Sequence, residues 1–148
     1  MATLAQRIDE DLKTALKARD QRRLDTLRLV KASIQRSASD KRKDTLDDPE
    51  VVQVLVQQAK QRRETIDAAK KGGRQDVLSA AEAELEMINT YLPQQLAPEA
   101  IKQLIEEAIK TAGPNQGAIM KFIMAKAVGA ADGKLVSQLV GERLKQGA

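Results

Sequence analysis

The chain has 148 residues, of which 42% are hydrophobic and 31% charged, and its formal net charge is +4. This length and balance suit one globular domain or two small ones. The absence of cysteine and histidine excludes disulfide scaffolds, thiol nucleophiles and nearly all zinc sites. Aromatic residues make up 1% of the chain, which argues against the stacking of unpaired bases on aromatic side chains.

The sequence shows no sign of a membrane-spanning or targeting segment. No apolar stretch approaches the roughly 18 residues that a membrane helix needs, so we expect no membrane partner. Asp9, Glu10 and Asp11 place three acids near the start of the chain, whereas transit peptides are poor in acids. We therefore expect a cytoplasmic protein.

The spacing of apolar residues is helical almost throughout, which predicts an all-α fold. Thr3 begins a first helix, with Gln6 as the reciprocal partner of a capping box. Asp20 caps a second helix over residues 21–38. Leu29 lies opposite its main apolar stripe, which predicts that this helix is covered on two faces. That stripe consists of Leu24, Leu27, Val30 and Ile34.

Two further helices are predicted in the first part of the chain. The acids before Pro49 favour a long third helix over residues 49–71 that ends at Gly72 and Gly73. A fourth helix follows over residues 76–92 and ends at a proline. Together the four helices predict an N-terminal bundle.

An ion pair is predicted between the third and fourth helices. Arg62 and Arg63 flank the apolar stripe of the third helix, and Glu84 falls on the apolar side of the fourth. Because an unpaired charge in that position is costly, we expect Glu84 to bind one of the two arginines. This role is structural.

Pro93 and Pro98 flank a short connection that predicts a domain boundary. Residues 1–92 then form the N-terminal helical domain, and residues 93–148 form a small three-helix C-terminal domain. The three C-terminal helices are expected over residues 98–112, 116–128 and 133–146.

Positive charge is concentrated between residues 13 and 43, where eleven basic and three acidic residues occur. Arginine suits phosphate because its guanidinium group binds two oxygens at once. A solvated and salt-bridged helix surface explains the same pattern equally well. Arg28 and Lys31 are our candidate nucleic-acid contacts from this block.

A second candidate site lies in the stretch GAADGKLVSQLV, residues 129–140. Asp132 caps a helix whose first N–H groups attract anions. Gly133 leaves room for a ligand, and Lys134 lies in the first turn, where a cation is unfavourable unless an anion binds. The alternative is that Asp132 simply offsets Lys134. Further candidate contacts are Lys121 and Lys126 in the preceding helix.

The sequence contains no recognisable catalytic or metal-binding constellation. Glu82 and Glu86 lie one turn apart but lack histidine support. Asp47 and Asp48 are better explained as a helix cap than as magnesium ligands. The serines have no histidine to activate them. We therefore expect no cofactor, no metal and no enzymatic activity.

Four stretches of the chain are informative when taken together: ARDQRRLDTLRLVKASI, KQRRETID, GGRQDVLSAAEAELEMINTYLPQQL and GAADGKLVSQLV. In their order and spacing they resemble the GatB/YqeY family, in particular its free-standing YqeY-like proteins, over essentially the whole chain. The resemblance implies an all-helical protein of two parts, related to the tail domain of the B subunit of tRNA-dependent amidotransferases. In those enzymes the tail domain contacts tRNA, and the chemistry occurs in other domains.

The sequence departs from the family pattern at two places. Ala130 and Ala131 stand where the last motif leads us to expect a basic residue, which removes a phosphate contact. Ala97 precedes Pro98 at a position where relatives commonly have a serine or threonine cap. The first departure weakens the transfer of tRNA-binding residues from the family.

The leading hypothesis is a non-catalytic, monomeric helical module that recognises folded tRNA by backbone charge and shape. The alternative is an adaptor that docks on a partner enzyme, an aminoacyl-tRNA synthetase or an amidotransferase subunit, through an exposed apolar patch. A second alternative is amidotransferase-like activity, a carbon–nitrogen ligase with glutamine as amido donor, which rests on ancestry alone. A helix-turn-helix in the last two helices is a weaker hypothesis. The adaptor patch would comprise Met120, Phe122 and Met124, which suit a small core better.

Overall fold

The computed structural model describes residues 2–147, which form seven α-helices and contain no β-strand. The predicted all-α fold is confirmed. The chain divides into two compact units, Met1–Leu92 and Pro93–Ala148. The first unit contains α1 (Leu4–Ala18), α2 (Gln21–Asp40), α3 (Asp48–Gly72) and α4 (Gln75–Asn89), and the second contains α5 (Pro98–Ala112), α6 (Gln116–Lys126) and α7 (Gly133–Lys145).

Local capping signals set the helix ends in the first unit. Thr3 and Gln6 form the capping box of α1. Asp47 and Glu50 form another at the start of α3, where each side chain accepts from the other residue's backbone N–H, at 3.0 and 3.1 Å. Gly73 ends α3 with a φ of 67°, which glycine adopts without strain. A side-chain cap of this kind contributes about 1 kcal/mol.

The core of the first unit is built from one apolar stripe on each helix. Leu27 of α2, Leu55 of α3 and Ile88 of α4 are each at most 1% exposed. Leu29 on the other side of α2 is 54% exposed, so the prediction that α2 is covered on two faces is wrong. The helices of this unit pack against the Leu27 side of α2 and leave the Leu29 side in solvent.

A chain of hydrogen bonds links α2, α3 and α4. Arg62 Nε donates to Glu84 Oε2 at 3.0 Å, and Arg62 Nη1 donates to Gln58 Oε1 at 3.0 Å. Gln58 Nε2 then donates to Ser33 Oγ at 2.9 Å. Arg63 forms no ion pair within residues 2–147. The structure therefore brings Arg62 to Glu84, and the chain of bonds fixes how α3 and α4 align.

The second unit has an apolar core of its own, contributed by all three of its helices. Gln95 Nε2 donates to the backbone oxygen of Gly129 at 2.6 Å, and Leu96 N–H donates to that of Ala130 at 2.8 Å. These bonds attach the segment that precedes α5 to the loop between α6 and α7. The most deeply buried core residues are Ile101, Ile105, Ala108, Ile119, Ile123, Val136 and Val140.

The predicted adaptor patch is part of this second core. Met120, Phe122 and Met124 are partly buried and pack against the buried core of this unit. Helix α6 ends at Lys126, two residues before its predicted end, because the backbone of Ala127 leaves the helical conformation with a φ of −117°. No feature of these three side chains singles them out as a docking surface.

Candidate nucleic-acid interface

The solvent side of α2 carries three exposed arginines, Arg22, Arg28 and Arg36, which we call the α2 arginine face. Residues 22 and 36 lie on one line along the helix, because seven residues make about two turns, and they are separated by about 21 Å. Arg28 lies about 80–120° around the helix axis from that line, still on the solvent side. No acidic side chain of the described residues forms an ion pair with any of the three. The exposed carboxylates of Asp25 and Asp40 lie one turn from these arginines on the same side of α2, so the face carries a small net positive charge on a rigid helix.

Two further exposed arginines lie at the two ends of α2. Arg19, which precedes the helix, and Arg42, which follows it, have φ angles of 57° and 56°. Among residues 2–147 they are the two non-glycine residues with positive φ. A side chain in this left-handed conformation costs about 1–2 kcal/mol relative to the right-handed one. Glycine would adopt it freely, so Arg19 and Arg42 hold a backbone conformation that glycine would take at lower cost.

Lys31, the other candidate from this block, has an acidic partner. Its Nζ lies 2.9 Å from Asp9 Oδ1 on α1, and Arg23 lies 4.0 Å from Asp11 in a similar pair. Both pairs are substantially exposed, so each adds little stability. Arg28 and Lys31 thus differ: the former has no acidic partner in the described part of the chain, and the latter does.

The loop after α2 is held to the start of α3 by two lysines. Lys43 and Lys41 donate to the carboxylate of Glu50 at 2.9 and 3.1 Å. The bond from Lys43, together with the backbone N–H of Asp47 and the bond from Lys41, lowers the pKa of Glu50 to about 2. The same contact raises the pKa of Lys43. Glu50 is therefore a carboxylate whose charge is compensated locally.

The two aromatic rings of the chain are both engaged within their own units. Tyr91 is 4% exposed, and its hydroxyl donates to the Asp11 carboxylate. Burial, followed by the contact with Asp11, raises the pKa of Tyr91. The Arg7 guanidinium lies 5.2 Å from the Tyr91 ring centroid, and Lys126 Nζ lies 5.4 Å from that of Phe122. Neither ring offers an open face for base stacking.

The start of α7 has the N-cap that its sequence predicts, but the capping carboxylate limits the binding of an anion there. Asp132 is the N-cap, and its Oδ1 accepts from the Lys134 N–H at 3.2 Å. A carboxylate thus already occupies part of the anion-attracting helix end, and its charge opposes a second anion. Lys134 is exposed. A side chain at Gly133 would meet Met124 at an ordinary contact distance of 4.0 Å, so glycine is not sterically required there.

The two lysines of α6 have different surroundings. Lys121 is exposed, and it forms no salt bridge with the part of the chain that the structure describes. Lys126 Nζ lies 3.0 Å from Glu107 Oε1 on α5, in a pair that is about half exposed on both sides. A phosphate group could replace Glu107 as the partner of Lys126, but the Glu107 carboxylate would remain nearby. The α6 lysines are therefore weaker candidates than the α2 arginine face.

The described residues contain no group of three or more acids, histidines or cysteines arranged to hold a metal ion. Glu82 and Glu86 are exposed on α4. Asp47 acts as the N-cap of α3, and Asp48 Oδ1 accepts from the backbone N–H of Leu4 at 3.0 Å. None of the helices within residues 2–147 is long and apolar enough to cross a membrane.

Comparison with known proteins identifies the family. The model of the Yqey-like protein family matches residues 5–144. The chain belongs to the Yqey-like protein family. This YqeY-like chain is similar to the protein named "Altered inheritance of mitochondria protein 41, mitochondrial" from two organisms. It is 32% identical to the Eremothecium gossypii protein over 85 residues, and 26% identical to the Pyrenophora tritici-repentis protein over 146 residues.

The extent of the two matches differs. The first covers 57% of the YqeY-like chain and 46% of the Eremothecium protein, so the chain spans less than half the length of that relative. The second covers 92% of the chain and 78% of the Pyrenophora protein. Both names include the word mitochondrial, which contradicts the cytoplasmic location that we expected. Asp9, Glu10 and Asp11, on which that expectation relied, lie within α1 and describe a folded helix surface, so they carry no information on targeting.

Sequence reasoning overlooked Arg36 as a member of the basic face. The signal was available, because positions 22, 29 and 36 repeat every seven residues and so share one side of a helix. We had assigned Leu29 to a buried face, which hid the alignment. Its 54% exposure shows that this side of α2 faces solvent.

Proposed function

We propose that this YqeY-like chain is a non-catalytic module that binds folded tRNA through its phosphate backbone and shape. The observation that carries this proposal is the α2 arginine face, with three exposed guanidinium groups that lack acidic partners in residues 2–147. Arginine binds phosphate through two parallel hydrogen bonds, and a rigid helix presents several such groups at fixed spacing. Lys31 and Arg23, which lie on the same helix, are by contrast paired with Asp9 and Asp11.

Two features support backbone recognition over the recognition of bases. Tyr91 is buried and Phe122 lies against Lys126, so no aromatic ring is open for stacking. Contacts to phosphate and to ribose are the usual means by which proteins bind double-stranded RNA regions. The resemblance to the tail domain of tRNA-dependent amidotransferases, which contacts tRNA, agrees with RNA as the partner.

The second unit contributes weaker contacts in this proposal. Lys121 and Lys134 are exposed, and Lys126 becomes available when phosphate displaces Glu107. Gly133 exposes backbone near Lys134, but the Asp132 carboxylate lowers the affinity of that helix end for a further anion. The α2 arginine face is therefore the main determinant of affinity.

A salt series with two charge-matched variants tests the proposal. The test variant is Arg22→Ala/Arg28→Ala/Arg36→Ala, and the control is Lys60→Ala/Lys70→Ala/Lys71→Ala, which removes the same charge from exposed positions of α3. Binding of fluorescein-labelled tRNA is measured by anisotropy. Each lost phosphate contact reduces the slope of log K against log salt by about one.

We expect the test variant to lose a slope of about three and the control less than one. Circular dichroism confirms that both variants remain helical. Equal losses of slope in the two variants would mean that α2 contributes to binding only through the net charge of the protein. A wild-type affinity for tRNA that does not respond to salt would contradict the proposal as a whole.

A further inference from the structure

The first unit contains a polar groove between α2 and α3, with a volume of about 340 Å³. Its α2 wall includes Arg36, which also belongs to the α2 arginine face. Its α3 wall carries Gln53, Gln57 and Gln61, which follow one another every four residues and are exposed. Because i and i+4 positions share a helix face, the three amides form a continuous row beside Arg36.

The floor of this groove is held in a single orientation. Gln58 accepts from Arg62 through Oε1 and donates to Ser33 Oγ through Nε2, which fixes the direction of its amide. Arg62 is in turn held by Glu84. Ser33 accepts the bond from Gln58, and within residues 2–147 no acceptor binds its own hydroxyl hydrogen. The Ser33 hydroxyl at the floor of the groove is therefore available to donate a hydrogen bond to a ligand.

The charged residues that line the groove balance, with Arg36 and Lys41 against Asp40 and Glu50. Glu50 lies at one end, but Lys41 and Lys43 compensate its charge at 3.1 and 2.9 Å. Asp40 is exposed at the rim, and Arg36 is exposed along the α2 wall. A ligand here therefore meets little net charge, beside a row of neutral groups that both donate and accept hydrogen bonds, and Arg36 forms no ion pair within residues 2–147.

We propose that this groove binds the ribose 2′-hydroxyl groups of an RNA strand whose phosphates bind the α2 arginine face. A 2′-hydroxyl both donates and accepts, as do glutamine amides and serine, and it is the group that distinguishes RNA from DNA. The arginines alone bind phosphate of either nucleic acid. The groove makes the module selective for RNA, and this inference rests on the proposed function.

The test compares an RNA hairpin with the same hairpin carrying 2′-O-methyl groups on every ribose. The methylated hairpin keeps its phosphates and its A-form helix but cannot donate from the 2′ position. The test variant is Gln57→Ala/Gln61→Ala, and the matched control is Gln35→Ala/Gln75→Ala, which removes two exposed amides outside the groove. Each affinity is measured by anisotropy at one fixed salt concentration.

We expect wild type and the control to bind the unmodified hairpin about five- to tenfold more tightly than the methylated one, from two lost hydrogen bonds. The test variant should bind both hairpins equally, with its helicity unchanged. A preference that survives in the test variant, or is absent from wild type, overturns the groove as a ribose site while the tRNA proposal stands. Failure of wild type to bind either hairpin overturns the ribose site, and failure to bind labelled tRNA in the same assay overturns both proposals.

Discussion

Both units of this YqeY-like chain contain paired and unpaired cations, but among residues 2–147 every arginine without a salt bridge lies in the first unit. In the first unit, α2 presents Arg22, Arg28 and Arg36 to solvent without acidic partners in the described residues. In the second, Lys126 faces Glu107 at 3.0 Å, and Arg143 binds Glu106 on the neighbouring helix. Positive charge that is left uncompensated at fixed positions is available to a ligand, whereas paired charge is already used. If the chain binds tRNA as we propose, this difference predicts that the first unit contributes most of the affinity.

The units also differ in what holds their helices together. The first unit buries a polar chain through Gln58 and Arg62, each 9% exposed. The buried residues of the second unit are apolar throughout, and its Arg143–Glu106 pair lies at the surface. The contact with Arg143 lowers the pKa of Glu106 and raises that of Arg143. A buried polar chain demands specific partners, whereas an apolar core tolerates variation.

The largest effect that we predict follows from this difference. Arg62→Ala removes the donor to both Glu84 and Gln58, and it should lower the free energy of unfolding of the first unit by about 2–3 kcal/mol, less than for a fully buried pair because Glu84 is partly exposed. Urea unfolding followed by tyrosine fluorescence measures this unit specifically, because Tyr91 is the sole tyrosine and the chain has no tryptophan.

The adjacent residue supplies the control. Arg63→Ala removes the same side chain from α3 at a position without an ion pair in residues 2–147, so its midpoint should stay close to that of wild type. If Arg62→Ala and Arg63→Ala shift the tyrosine transition equally, the polar chain contributes no specific stability. In that case the cores of the two units would differ only in their amino-acid composition.

Much of the fold was predictable from local chemistry, as these helices illustrate. The capping pairs Thr3–Gln6 and Asp47–Glu50 each combine a short acceptor with a partner three residues later, so both were visible in the sequence. Leu29 was misassigned because helical periodicity gives the direction of a side chain but not what lies beyond it. That depends on which other helices pack nearby, and no local pattern encodes it.

The candidate site was less predictable than the fold. The basic block identified α2, but spacing could not show that Lys31 has Asp9 as a partner while Arg28 has no partner of that kind. The groove between α2 and α3 combines residues up to 28 positions apart, such as Ser33 and Gln61, and depends on how the helices align. Pairing and alignment are tertiary properties, so they required coordinates.

A smaller effect is predicted for Arg19→Gly, which should raise the stability of the first unit and lower its affinity for tRNA. Glycine relieves the left-handed backbone at φ 57°, so the first unit should become more stable by about 0.5–1 kcal/mol after the entropy cost of glycine in the unfolded chain. Affinity for tRNA should fall, because a guanidinium beside the α2 arginine face is lost. Tyrosine-monitored urea unfolding and tRNA anisotropy measure the two quantities.

Arg19→Ala separates the two contributions. It removes the guanidinium but keeps the strained backbone, so it should lose affinity as Arg19→Gly does without gaining stability. An unchanged tRNA affinity in both variants would mean that Arg19 lies outside the interface. A loss of stability in Arg19→Gly would show that the arginine side chain holds the α1–α2 turn, and the strain argument would then be wrong.

The smallest effect tests the second unit directly. Glu107→Gln removes the carboxylate that pairs with Lys126, and it should raise tRNA affinity about twofold at low salt, because the lysine is released and a repelling charge is lost. The gain should disappear in the double variant Glu107→Gln/Lys126→Ala. Asp9→Asn, which releases Lys31 on the first unit in the same way, is the matched comparison. If Asp9→Asn raises the affinity for tRNA and Glu107→Gln does not, tRNA is held by the first unit alone. Equal gains in the two variants would show that pairing with acids limits the contribution of both units.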